Sequence, residues 1–148
     1  MKKWMKMTAT MMVAAMALTA CGGNDAADDS ADAGETYTVG IIQQLEHPAL
    51  DQATKGFEDK LTELLGDKVK FDYQNAQGEQ ANCSSIATTF VSNNYDLILA
   101  NATTALQASA AATSTIPVLG TSVTDYATAL DIDDWTGATG KNISGTSD

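Results

Sequence analysis

The chain has 148 residues, a net charge of −11 at pH 7 and a hydrophobic fraction of 44%. That is enough for one domain with a real core and too little for two large ones. All 8 basic residues are lysine, set against 19 acids, and so acidic a balance argues against nucleic acid as a partner.

Met1 to Ala20 opens with Lys2, Lys3 and Lys6 and continues into a short apolar run, Met11 to Leu18. A positive start, a short apolar stretch and small residues form a secretory signal peptide, here over 1–20. The run is too short to span a bilayer. Leu18-Thr19-Ala20-Cys21 resembles a bacterial lipoprotein signal, in which the cysteine is lipidated and becomes the new N-terminus. The competing reading is an ordinary export signal with a coincidental cysteine. With Cys21 lipidated, Cys83 has no intramolecular partner. Small and acidic residues dominate 21–36, and nothing there offsets the entropy of ordering, so the stretch is expected to be a disordered tether.

The organising stretch is Tyr37 to Asp51, YTVGIIQQLEHPALD. Tyr37, Val39, Ile41 and Ile42 predict a strand covered on both faces. Gln43, Gln44, Glu46 and His47 then gather polar groups in a short loop. Pro48 suits the first position of a helix. From there Leu50, Ala53, Phe57, Leu61 and Leu64 lay out one apolar stripe, giving a helix over about Pro48 to Leu65. Gly66 lies where a left-handed C-cap is usual. Lys68 to Gln74 alternates, with Val69, Phe71 and Tyr73 on one face, as an edge strand does.

A second helix is predicted over about Glu79 to Ser92, with Cys83, Ile86, Ala87, Phe90 and Val91 inward. Tyr95 to Ala100 is a continuous apolar run and reads as a central strand. An alanine-rich helix follows and ends near Ser114; Thr104 and Gln107 fit the capping-box spacing. Ile116 to Gly120 reads as a fourth strand, with Pro117 tolerable only near its beginning. A polar loop, Thr121 to Asp125, comes next. Tyr126 to Leu130 suggests a short helix, and Asn142 to Thr146 the start of a fifth strand.

Strands alternating with helices over short connections predict an α/β fold, a doubly wound parallel sheet with helices on both faces. Right-handed crossovers and the alternating second strand favour the order 2-1-3-4-5. The switch point then lies between the first and third strands, where loops beginning at Gln43 and Asn101 meet, with the loop from Thr121 beside them. Ligands bind at such points.

No G-x-S-x-G elbow, P-loop or G-x-G-x-x-G follows the first strand. A lone histidine and a core-facing Cys83 do not make a metal site. Neither a cofactor nor an enzymatic activity is expected. His47 beside Glu46 allows acid–base work, or His47 simply orients the helix start. Thr103 and Thr104 could offer hydroxyls and a helix N-terminus to a carboxylate, although Thr104 could spend its hydroxyl on capping. An amino group would want Asp125 or Glu46; Asp125 could equally be a turn residue. Trp135 stands in a connector as an exposed aromatic.

GIIQQLEHPALD (Gly40 to Asp51), FDYQNAQGEQ (Phe71 to Gln80), DLILANATTALQA (Asp96 to Ala108), IPVLGTSVTD (Ile116 to Asp125) and NISGTSD (Asn142 to Asp148) occur in this order. Together they resemble the ABC-transporter substrate-binding lipoproteins of the tryptophan and tyrosine type. That resemblance implies one lobe of a type I periplasmic-binding-protein fold over 37–148, the N-terminal one, in a family about twice this length. It implies capture of a small solute, an aromatic amino acid, for a membrane ABC permease, by a lipid-anchored extracytoplasmic protein. Gln44, Glu46, His47, Thr103, Thr104, Ser122 and Asp125 carry over as ligand-facing residues. A flavodoxin-like cofactor or enzyme domain on the same sheet order is the alternative, with an inactive fragment the third reading.

Overall fold

The computed structural model describes residues 35–148. The predicted signal peptide 1–20 and the predicted tether as far as residue 34, Cys21 included, lie outside the described residues. Strand β1 (Tyr37–Gln43) leads into helix α1 (Pro48–Leu65), and a 3-10 turn (Gly66–Lys68) into strand β2 (Val69–Asn75). Helix α2 (Gln80–Ser92), strand β3 (Leu97–Asn101), helix α3 (Thr103–Ala112) and strand β4 (Val118–Val123) follow. A single-turn helix α4 (Tyr126–Ala129) and strand β5 (Ile143–Ser147) complete the order.

All five strands are parallel, in the order β2-β1-β3-β4-β5. This is the doubly wound sheet predicted from the helix–strand alternation. Its larger core lies on the face of α2, α3 and α4, where Ile42, Cys83, Phe90, Ile98, Leu106 and Val118 pack. The opposite face is thinner: Val39, Ile41 and Leu99 are buried there, with Phe57, Leu61 and Phe71 of α1 and β2 against them. The α1 stripe falls short of its predicted length, because Leu64 is 64% exposed. Tyr73, expected on the inward face of β2, is likewise largely exposed.

Several predicted boundaries move by one to three residues, and at the ends of β1, β3 and β4 the move places polar residues inside the sheet. Gln43, expected in the loop, is the last residue of β1, and Asn101 the last of β3; both are fully buried. The reason is in the register. Gln43 pairs with Asn75 on one side and Asn101 on the other, and Asn101 pairs with Thr121. One polar row thus crosses four strands above two apolar ones. Strand β4 also runs on past Gly120 through Thr121, Ser122 and Val123, with a register irregularity between Gly120 and Val123. Ser122 therefore sits in a strand bulge at φ 55°, not in a free loop.

Gly40 shows how closely α2 is packed on the sheet. A Cβ there would come within 2.3 Å of the Phe90 ring. That ring is fully buried and stacked on Tyr95 at a centroid distance of 4.8 Å, so it has nowhere to go. Gly40→Ala should cost about 1–3 kcal/mol of stability, the usual penalty for overpacking a filled core. Urea unfolding reads this directly, and an unchanged midpoint would mean that the helix–sheet spacing is looser than described.

Candidate functional site

Parallel strands put every carboxyl end at one edge, so the segments after β1, β3 and β4 emerge together. Backbone bonds then tie them to one another. The Gln44 amide donates to Asn101 O (3.2 Å) and the Ala102 amide to Thr121 O (2.9 Å). On the other side, the Gly78 amide donates to Gln44 O (2.7 Å) and the Ala76 amide to Gln43 O (2.9 Å). The three predicted loops form one continuous edge.

Gln44 is half-buried on this edge, while Glu46 and His47 are exposed. His47 is the N-cap of α1: its Nδ1 accepts from the Ala49 amide at 3.2 Å, and Pro48 occupies the first helical position. The reading of His47 as a helix-start residue thus holds, and its Nε2 is not used by that bond. Acidic groups concentrate beside it. Burial first, then the negative charges of Asp51, Glu46 and Glu58, push the Tyr73 phenol up.

Thr103 and Thr104 occupy the first turn of α3 and are half-buried. The expected capping box does not form. The N-cap is Ala102, with no side-chain cap, and Gln107 instead donates to Ala129 O at 3.2 Å. Among the described residues neither threonine hydroxyl has a hydrogen-bond partner. Ala102 itself lies at φ 92°, ψ 162°, a conformation almost reserved for glycine. Strain at Ala102 and Ser122 falls on the same edge of the sheet, where the first turn of α3 has no side-chain cap.

Asp125 caps α4. One carboxylate oxygen accepts from the Ala127 and Thr128 amides (2.9 and 3.2 Å), and the other from the Thr128 hydroxyl (2.8 Å). Trp135, 43% exposed, lines a separate concavity of about 430 Å³ with Tyr126, Lys141 and Ile143. None of the seven predicted site residues lines it. The two residues that sequence reasoning missed are Gln43 and Asn101. Their amide chemistry was visible, but only the strand register shows that it faces inward.

A five-stranded parallel sheet with its polar segments gathered at the switch point defines a doubly wound α/β domain. A family model for ABC transporter substrate binding proteins matches residues 38–148, and the chain belongs to that family. Over 139 residues it is 41% identical to the tyrosine-binding protein of Clostridioides difficile (strain R20291), covering 88% of this chain and 40% of the relative. It is similar to the ligand-free, open structure of a substrate-binding protein with adhesive properties from Clostridium difficile. There the identity is 40% and the TM-score 0.71, over 76% of this chain and 39% of that one. An ABC domain from Streptococcus pneumoniae solved in complex with L-Trp gives 34% identity and TM-score 0.70, over 76% and 39%. The chain spans about two fifths of the length of these relatives.

The cap at Asp125 makes a pH prediction. Hydrogen bonds from Thr128, side chain and backbone, and from the Ala127 amide hold its carboxyl below the ordinary aspartate range. Its folded pKa is therefore the depressed one, so its contribution is present above the unfolded pKa and lost as pH falls through the folded value. The stability difference between wild type and Asp125→Ala should accordingly be constant near neutrality and shrink as the pH falls into the acid range. An NMR titration placing the Asp125 carboxyl at or above the ordinary range would show that the cap is not made.

Proposed function

We propose that residues 37–148 are the N-terminal lobe of a solute receptor for an ABC importer. In this reading residues 1–20 direct export, Cys21 carries the lipid anchor and 21–36 tether the lobe outside the cell membrane. The solute is an amino acid, aromatic by preference, handed to a membrane permease without chemical change. The observation that carries the reading is the tying of the segments after β1, β3 and β4 into one edge, with a bare helix N-terminus on one side and acids on the other.

A zwitterion matches that polarity. The uncapped first turn of α3, with the free hydroxyls of Thr103 and Thr104, suits the carboxylate. Glu46, exposed and uncommitted, suits the ammonium group. Gln44 and Ser122 supply neutral hydrogen bonds between them, and His47 offers its remaining ring nitrogen. Asp125, already engaged at α4, adds negative charge to the rim and fixes where α4 begins. The names of the relatives, one tyrosine-binding and one bound to L-Trp, support the aromatic preference.

Titration of L-tyrosine and L-tryptophan into the chain, alone and fused to the second lobe of its tyrosine-binding relative, tests this. Ligand at about a hundred times Kd should stabilise the protein by ~2.7 kcal/mol. Removing one charge-assisted contact by Glu46→Gln should cost about 1.5–3 kcal/mol of binding, and Thr103→Ala about 0.5–1.5. Stabilisation by sugars or nucleosides alone would put the solute in another class. For the anchor, a labelled fatty acid should mark the protein at Cys21, and Cys21→Ser should release it into the medium. An exported, unlabelled wild type would leave Cys21 as an ordinary residue.

A further inference from the structure

Beneath the edge lies a buried relay of side chains that the seven site residues do not include. Asn101 Nδ2 donates to Leu50 O (2.8 Å) and to Thr54 Oγ1 (2.9 Å). The Thr54 hydroxyl donates to Gln43 Oε1 (2.8 Å). Gln43 Nε2 donates in turn to Leu45 O (3.0 Å) and to Asp51 Oδ1 (2.6 Å). Backbone carbonyls only accept, so Leu45 O and Leu50 O fix the orientation of both amides. The direction of every bond follows, and Thr54 must accept from one amide and donate to the other.

We propose that Gln43, Thr54 and Asn101 are positioning residues for the solute: they set the conformation of the Gln44–His47 segment and its placement over the third strand. This rests on the receptor reading given above. The relay grips the segment from both sides. Gln43 holds the Leu45 carbonyl within it and the Asp51 carboxylate in the first turn of α1, and Asn101 holds Leu50 O of that same turn. Asn101 is the residue before the Ala102–Thr103 turn. Among the side chains, the Thr54 hydroxyl is what links the amide of Gln43 to that of Asn101, and so the acid-bearing half of the edge to the helix-bearing half.

Stability alone does not account for the arrangement. On the same face the two preceding rows carry apolar residues at their centre: Val39 with Phe71 and Leu97, then Ile41 with Leu99, Tyr73 lying at the exposed edge. Continuing that pattern would have filled the row without desolvating two amides. Asn101 Oδ1 is moreover buried without a hydrogen-bond partner, alone in this among the described side chains. A residue that leaves an acceptor unpaired in the interior is suited to the position by its donors, and both donors reach the first turns of α1.

Thr54→Val removes both bonds of the hydroxyl at unchanged shape, and Thr54→Ser restores them. Hydrogen exchange at the Gln44 and Asp51 amides of the free chain reports on the segment, with the amides of α2 as internal control. Thr54→Val should speed exchange at Gln44 and Asp51 about tenfold with α2 unchanged. It should also weaken L-tyrosine binding about tenfold, and Thr54→Ser should behave as wild type in both. Unchanged exchange, or unchanged affinity despite faster exchange, overturns the proposal. So does faster exchange at α2 as well, which would make Thr54 a general core residue. If wild type binds no amino acid while the exchange response appears, the receptor reading falls and the relay is left as a structural lock only.

Discussion

Parallel pairing is the constraint on which the rest depends. A parallel strand cannot turn straight back, so each must be joined to the next by a crossover over the sheet. The crossovers here are α1, α2 and α3, followed by the segment through α4. With the order β2-β1-β3-β4-β5, the chain leaves β1 toward one side and β3 toward the other, and the gap between their ends is lined by backbone already committed to the sheet. There the segments after β1, β3 and β4 are tied to one another by backbone hydrogen bonds, through Gln44 to Asn101 and Ala102 to Thr121.

The edge is held in a strained form. Ala102 and Ser122, both with a Cβ, adopt positive φ, and each such residue costs on the order of 1–3 kcal/mol when the conformation is sparsely populated. The Ala102 amide donates to Thr121 O (2.9 Å), and Ser122 lies within β4, whose register with β5 resumes at Val123 and Ser147. Surrounding pairing over-determines both residues. The return for that cost is geometric: α3 begins immediately after β3, its first-turn amides are left uncapped, and the Ser122 side chain is turned within a strand that would otherwise alternate strictly.

Much of this was legible beforehand, for identifiable reasons. The β1–α1 junction could be read because Pro48 and His47 have position-specific chemistry, and the strand order followed because β2 alternates while β1 does not. The site was legible as a region and less so as a list. His47 and Asp125 lie where expected but act as caps, a local role that single residues take up whenever a helix starts beside them. Thr104 and Gln107 have the spacing of a capping box, but a spacing cannot say where the helix begins; starting at Thr103 moves Thr104 out of the N-cap position. Gln43 and Asn101 were missed as interior residues since a polar side chain at a strand end reads as loop. Only the register, Gln43 against Asn101, shows two amides side by side under a helix.

The two faces of the sheet also differ in what holds their helices. On the α2–α3 side, apolar burial is extensive, and Cys83, Ala87, Phe90, Ala105 and Leu106 fix those helices by packing. In α1 the one buried residue is Thr54, and the helix's apolar contacts, Phe57 and Leu61, are only partly covered. Dispersion and burial are non-directional, so a thin apolar contact allows a helix to slide or rotate at little cost. Hydrogen bonds are not so permissive: at 2.6–2.9 Å from Asn101, Thr54 and Gln43 they specify one rotation of α1 and one height above the sheet. Since the Gln44–His47 segment is continuous with the first turn of α1, its position is inherited from that polar row. The weakness of the apolar contact is what gives three buried polar side chains authority over the most exposed part of the edge.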